Sequence, residues 1–136
     1  MCTQFTTLAE SSDFRHILQC EHGTIHLTWD LVTLYLNSSE FDSLANLLEQ
    51  GTRMSEPAKL TESPCILVYK ERGYYQLWIR NLAINLTPVD FLILVDLVWV
   101  ALRAAQANKA PGGADELSQV LDSTVEASAR PSFSVN

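Results

Sequence analysis

The residues of this chain best suited to chemistry fall in one short stretch, Cys20-Glu21-His22-Gly23-Thr24-Ile25-His26. A thiolate and two imidazoles are zinc-type ligands, and C-x-H-x3-H superficially resembles a metal spacing. Whether the three converge depends on the turn between them. A two-residue hairpin at His22-Gly23, with glycine at positive φ, predicts Cys20 facing the core, His22 in the turn and His26 on the opposite face. Ligands so placed do not meet on one ion, and a fourth would have to come from elsewhere. Fifty positions later the chain has Lys70, Arg72 and Gln76 at these places, so the scaffold does not depend on a metal there. The expectation is no metal and no cofactor. Cys20, His22 and His26 stand as the candidates if the register slips by one residue.

No other pattern carries catalysis. G-x-S-x-G, H-E-x-x-H, G-x-G-x-x-G and G-x-x-x-x-G-K-[ST] are all absent. Glu40 and Asp90 fall in first helical turns and complement helix dipoles. Lone serines and Cys65 have no base at a recognisable spacing. The chain is expected not to be an enzyme. Its three cysteines form no C-x-x-C pair, and no charged n-region leads into an apolar run, which together predict a cytoplasmic location.

A length of 136 residues with 47% hydrophobic content predicts one globular domain with a real core. The net charge of −7 argues against nucleic acid or an anionic membrane surface as partner, since both need clustered Lys and Arg. The longest apolar run, 91–102, would span about 18 Å as a helix, against ~30 Å of bilayer core, so no integral membrane segment is expected.

The elements that must hold these residues repeat. From Phe14 a pattern recurs without gaps fifty positions on: Gly23 with Gly73, Leu27 with Leu77, Leu36 with Leu86, Phe41 with Phe91 and Leu47 with Leu97. Turns and apolar alternation recur as well, which predicts a tandem duplication. Each copy reads as three antiparallel strands and a helix, giving an α+β fold of two βββα units at 14–51 and 64–105, helices packed on one face. In the first copy the inner face is read as His16, Leu18, Cys20, Ile25, Leu27 and Trp29. In the second it begins Ile66, Val68, Tyr75 and Leu77. Asn37 with Glu40 forms a capping box, Gly51 ends the first helix, and Thr87-Pro88 opens the second. Residues 1–13 read as a flexible leader and 52–64 as a connecting loop. The segment 106–136 reads as a mostly disordered tail with a short helix at 114–124.

A duplication supplies its own control, because paired positions share one structural duty. Asp42, Ser43, Glu49 and Gln50 of the first helix are replaced by Leu92, Ile93, Trp99 and Val100 in the second. Gln19, Thr24 and Thr28, read as outward-facing, become Tyr69, Tyr74 and Trp78. Apolar and aromatic residues that only one copy needs point to an interaction surface.

The run Cys20-x-His-Gly-x-Ile-His-Leu-x-Trp-x-x-Val-x-Leu-x-Leu-x-x-x-Glu-Phe-x-x-Leu-x-x-Leu-Leu48 resembles a family of short, functionally uncharacterised bacterial proteins with a Cys/Gly hairpin and an E-F-x-x-L helix. The resemblance covers the first copy well and the second in outline. Some members carry a Cys-x-x-Cys hairpin, where this chain has Gly23 for the second cysteine, and the resemblance implies no activity. The function expected from the residues is a protein-binding module, a small regulator or adaptor that binds a partner or itself as a homodimer. The alternatives are a metal- or small-ligand sensor using Cys20, His22 and His26, or a chaperone for secreted proteins.

Overall fold

Four strands, not three, precede each helix in the computed structural model, which describes residues 2–109. The first half runs β1 (Phe5–Ser12), β2 (Arg15–Cys20), β3 (Ile25–Trp29), β4 (Val32–Leu36) and α1 (Ser38–Gly51). The second runs β5 (Ala58–Glu62), β6 (Cys65–Glu71), β7 (Tyr74–Ile79), β8 (Leu82–Leu86) and α2 (Pro88–Lys109). The strands form two antiparallel four-stranded sheets, ordered β1-β2-β3-β4 and β5-β6-β7-β8. The fold is therefore α+β. The described residues up to Ala104 group as one compact unit. The expected helix at 114–124 lies outside the described residues, as does most of the expected tail.

The extra strands are β1, within the stretch read as a leader, and β5, within the stretch read as a loop. Neither alternates cleanly: β1 buries only the adjacent pair Leu8 and Ala9, and β5 buries nothing fully. Bulges in β1 near Leu8 and Ser11 put neighbouring residues on one side and erase the period of two.

Pairing in the remaining strands recurs at fifty-residue intervals. Ile17 lies opposite Leu27 and Leu27 opposite Leu34; Leu67 lies opposite Leu77 and Leu77 opposite Ile84. This register corrects the sequence reading of β2 and β6 by one residue. Ile17 and Leu67 are fully buried on the core face, while His16, Leu18, Ile66 and Val68 face the other way, half-buried. The cause is the turn. Gly23 N donates to Cys20 O at 2.9 Å and Cys20 N to Thr24 O at 3.1 Å, with Gly23 at φ 86°. That is a three-residue loop closed by a glycine bulge, and its one extra residue turns β2 over. The second half makes the expected two-residue turn, Arg72 and Gly73 both at positive φ, but a bulge at Lys70 restores the same register.

Both helices start as expected. Asn37 Oδ1 accepts from Glu40 N at 2.8 Å, and Glu40 returns the bond to Asn37 N at 2.9 Å. Thr87 Oγ1 accepts from Asp90 N at 3.1 Å. α1 lies across β5 and β6, burying Phe41, Leu44, Leu47 and Leu48. Each such side chain contributes about 1.5–3 kcal/mol of apolar burial. α2 is tied to both sheets: Asp90 reaches Arg15 on β2, and Phe91 stacks on Tyr75 of β7 with ring centroids 3.7 Å apart.

Candidate metal centre

The bulged hairpin changes where its polar residues land. Cys20 ends β2 directly opposite Phe5 on β1. Two residues later His22 sits at the apex of the loop, and His26 follows on β3, opposite Tyr35. The His26 ring is held edge-on between Phe5, at 5.1 Å and 90°, and Tyr35, at 4.8 Å and 85°. Such edge contacts with aromatic neighbours restrict the imidazole's rotation.

The chain ahead of β1 then crosses the hairpin tip. Glu21 holds it there: its carboxylate accepts from Thr3 N at 3.1 Å, Thr3 Oγ1 at 3.0 Å and Gln4 N at 3.2 Å. Hydrogen bonds from backbone amides, its own first and then those of Thr3 and Gln4, lower the Glu21 carboxyl to about 2. This anchoring delivers Cys2 to the two histidines. Cys2 Sγ lies 3.7 Å from His22 Nδ1 and 3.7 Å from His26 Nε2, and Cys20 Sγ lies 3.9 Å from His22 Nδ1. The ligand atoms of Cys2, Cys20, Glu21 and His22 all fall within 4.8 Å of one another.

Four ligands around one tetrahedral zinc, at about 2.3 Å for sulfur and 2.0–2.1 Å for nitrogen, stand about 3.6 Å apart from sulfur to nitrogen. The three sulfur–nitrogen separations here match that edge to within a few tenths of an ångström. Two thiolates and two imidazoles are also the donor set that selects zinc over hard cations. Glu21 lies near enough to contribute an oxygen, but its carboxylate is committed to the Thr3 and Gln4 amides. It positions Cys2.

The thiols are poised as a pair. Burial alone would raise the Cys20 thiol, which is only 5% exposed. Hydrogen bonds from Cys2, from His26 and from the His22 and Thr24 amides outweigh it and lower Cys20 to about 5. Its hydrogen bond to Cys20, and then burial, raise Cys2, so Cys20 is the thiol of the pair favoured as thiolate. A thiolate is the form that binds metal, and an ion would take the place of the shared proton. Cys65 is different: buried on β6, it is pushed up to about 11 by desolvation and belongs to the core.

Cys20 lies beside His22, and Cys2 lies beside both His22 and His26. The divergence expected of Cys20, His22 and His26 presumes a two-residue turn, where the loop has a glycine bulge. The residue that sequence reasoning missed is Cys2, assigned to a leader without period. Its one visible signal was a third cysteine with no role in the repeat.

The expected interaction residues do not share one surface. Leu92 (63% exposed), Val100 and half-buried Ile93 line a groove of about 430 Å³ between α2 and residues Ala9, Glu10 and Ser11 of β1. Trp99 is half-buried and does not line the groove. Tyr69, expected on the outer face, lies on the core face, its ring 4.9 Å from Tyr75 and its hydroxyl accepting from Gly73 N at 3.1 Å. The register slip moves it there. Tyr74 is exposed, and Trp78 is half-buried, its indole donating to Gln76 Oε1 at 3.0 Å. The three aromatics therefore do not form one patch.

Among the described residues no helix is long and apolar enough to cross a membrane. Comparison of the chain with protein-family models, with curated proteins and with solved structures finds no match.

Proposed function

We propose that this protein is a non-enzymatic metal-binding module, in which Cys2, Cys20, His22 and His26 hold one zinc-class ion in a tetrahedral site. The observation that carries this reading is the set of sulfur–nitrogen separations, 3.7, 3.7 and 3.9 Å, centred on two cysteines. Four protein ligands leave no open position for substrate or activated water, so the ion's work is to fasten structure. What it fastens is the chain ahead of β1 to the β2–β3 hairpin, 18 to 24 residues away. The second half has no such clamp, having Lys70, Arg72 and Gln76 in place of the ligands. We read the fifty-residue correspondence as a tandem duplication in which one copy acquired the site. Free cysteines at this position suit a reducing compartment such as the cytoplasm.

Cobalt(II) tests the reading. One equivalent added to the reduced, metal-free protein should produce thiolate-to-metal charge-transfer bands and tetrahedral ligand-field bands, both erased by zinc. The Cys2→Ser variant should bind more weakly, with weaker charge transfer. An unchanged spectrum would remove the proposal.

A second reading, association with a protein partner or a second copy, is favoured by the groove along α2 and the 63% exposure of Leu92. It is compatible with the metal site, since β1 carries Cys2 just beyond one end and lines the groove with Ala9, Glu10 and Ser11.

A further inference from the structure

We infer that the same four-ligand site is a thiol redox switch, in which peroxide joins Cys2 to Cys20 and expels the metal. The inference rests on the metal site proposed above and concerns its regulation. Two observations carry it. The sulfurs of Cys2 and Cys20 lie within 4.8 Å of each other, so a shift of less than about 3 Å brings them to the ~2.05 Å of an S–S bond. Their exposure also differs: Cys2 is half-buried at the edge of the site, whereas Cys20 is 5% exposed beneath it.

That asymmetry assigns the roles. Cys2 Sγ is the sulfur that hydrogen peroxide reaches. With the ion bound Cys2 is held as a thiolate; that thiolate attacks one peroxide oxygen, the O–O bond breaks, and a sulfenic acid forms with release of hydroxide. Cys20 thiolate then attacks the sulfenic sulfur, the S–S bond forms, and a second hydroxide leaves. The two sulfurs together lose two electrons, peroxide gains two, and the hydroxides take two protons from solvent to give water. The ion is left with two neutral imidazoles and no anionic ligand, and it dissociates. Cys2 lies outside the strand ladder: it precedes β1, and its neighbours Thr3 and Gln4 are held by side-chain contacts to Glu21. Cys65, fully buried on the other sheet, takes no part.

The experiment uses the full chain loaded with zinc. Zinc content is first measured under reducing conditions, then hydrogen peroxide is added stoichiometrically with a chromogenic chelator present. The expected result is release of one zinc per chain, a mass lower by two hydrogens, and a Cys2–Cys20 cross-link in the peptide map. Thiol reductant with added zinc should restore the starting state, and Cys65→Ser should behave as the parent. Zinc retained through peroxide, or lost with a single cysteine over-oxidised and no cross-link, overturns the inference and leaves the metal site standing. A reduced protein that never holds zinc overturns the site itself.

Discussion

Arg15 on β2 donates Nη1 to Oδ1 of Asp90 at 3.0 Å, joining the first sheet to the first turn of the second helix across 75 residues of sequence. The same guanidinium grips Asp30 through Nε at 2.9 Å and Nη2 at 3.1 Å, and it lies 4.0 Å over the ring of Trp29. The other half answers in kind. Glu40, fifty residues before Asp90, is paired with Arg80, which stands where the first half has Asp30. Each helix start thus meets a cation supplied by the other half.

Arg15 is 81% removed from solvent only as a side chain serving three partners, so its loss should be felt. Arg15→Met should cost about 1–2 kcal/mol, summing two partly exposed ion pairs and a cation–π contact. Arg15→Lys should recover less than half, because an ammonium cannot chelate Asp30 and stack on Trp29 together. Urea unfolding of the three proteins measures this. A Met variant as stable as the parent would mean that the pairs contribute nothing net.

Gly51 is a packing requirement at the end of α1. A Cβ there would come 2.4 Å from Leu67 Cδ2 and 3.1 Å from Phe91 Cζ, while the Gly51 carbonyl accepts from Tyr75 Oη at 2.6 Å. Leu67 is fully buried and has no room to withdraw. Gly51→Ala gains up to about 1 kcal/mol in helix propensity. Overpacking should outweigh that with a cost of about 1–3 kcal/mol. Thermal unfolding should show a lower Tm, and a higher one would contradict the close approach.

Acid should weaken the fold, including the Glu40–Arg80 pair between its halves. The amide of Asn37 and then Arg80 hold the Glu40 carboxyl below its ordinary 4.5, and Arg15 holds Asp30 below 3.8. A folded-state value lowered in this way contributes stability that is complete above the ordinary value and is lost as pH falls through the folded one. Unfolding midpoints from pH 7 down to 3 should therefore fall at the acid end. Glu40→Gln should flatten that fall and lower the midpoint at pH 7. An unchanged slope would show that Glu40 is not linked to folding.

Leu92 and Leu97 sit five residues apart on α2 with opposite duties: 63% and 3% exposed. Leu97→Ala should cost about 2–5 kcal/mol, whereas Leu92→Glu should stay within about 0.5 kcal/mol. If the groove face binds a second copy, light scattering should show the parent's mass halved in Leu92→Glu. A strongly destabilised Leu92→Glu of unchanged mass would place that face inside the single chain.

Much of this was legible in the sequence, for identifiable reasons. Helix starts at Asn37 and Thr87 announce themselves because capping is local chemistry. The alternation in β3, β4, β7 and β8 survives because tight turns leave their period undisturbed. β2 and β6 were read one residue out of register. Cys20–Thr24 closes with a glycine bulge and Lys70 bulges ahead of its turn, and a bulge has no distinct composition. β1 and β5 are edge strands with few buried residues, so no apolar period marks them. The candidate site is hidden for two reasons: the bulged turn alters where Cys20 stands relative to His22 and His26, and Cys2 is brought there by tertiary contacts of its neighbours with Glu21.

The most direct test is X-ray absorption at the zinc edge on the reduced protein, together with elemental analysis. The proposed site predicts one zinc per chain, with two sulfurs at about 2.3 Å and two nitrogens at about 2.0 Å. Cys2→Ser should replace one of those sulfurs by a lighter atom and lower the zinc content. A protein purified and reconstituted without bound zinc, or a shell of oxygens that ignores the Cys2 change, would contradict the site.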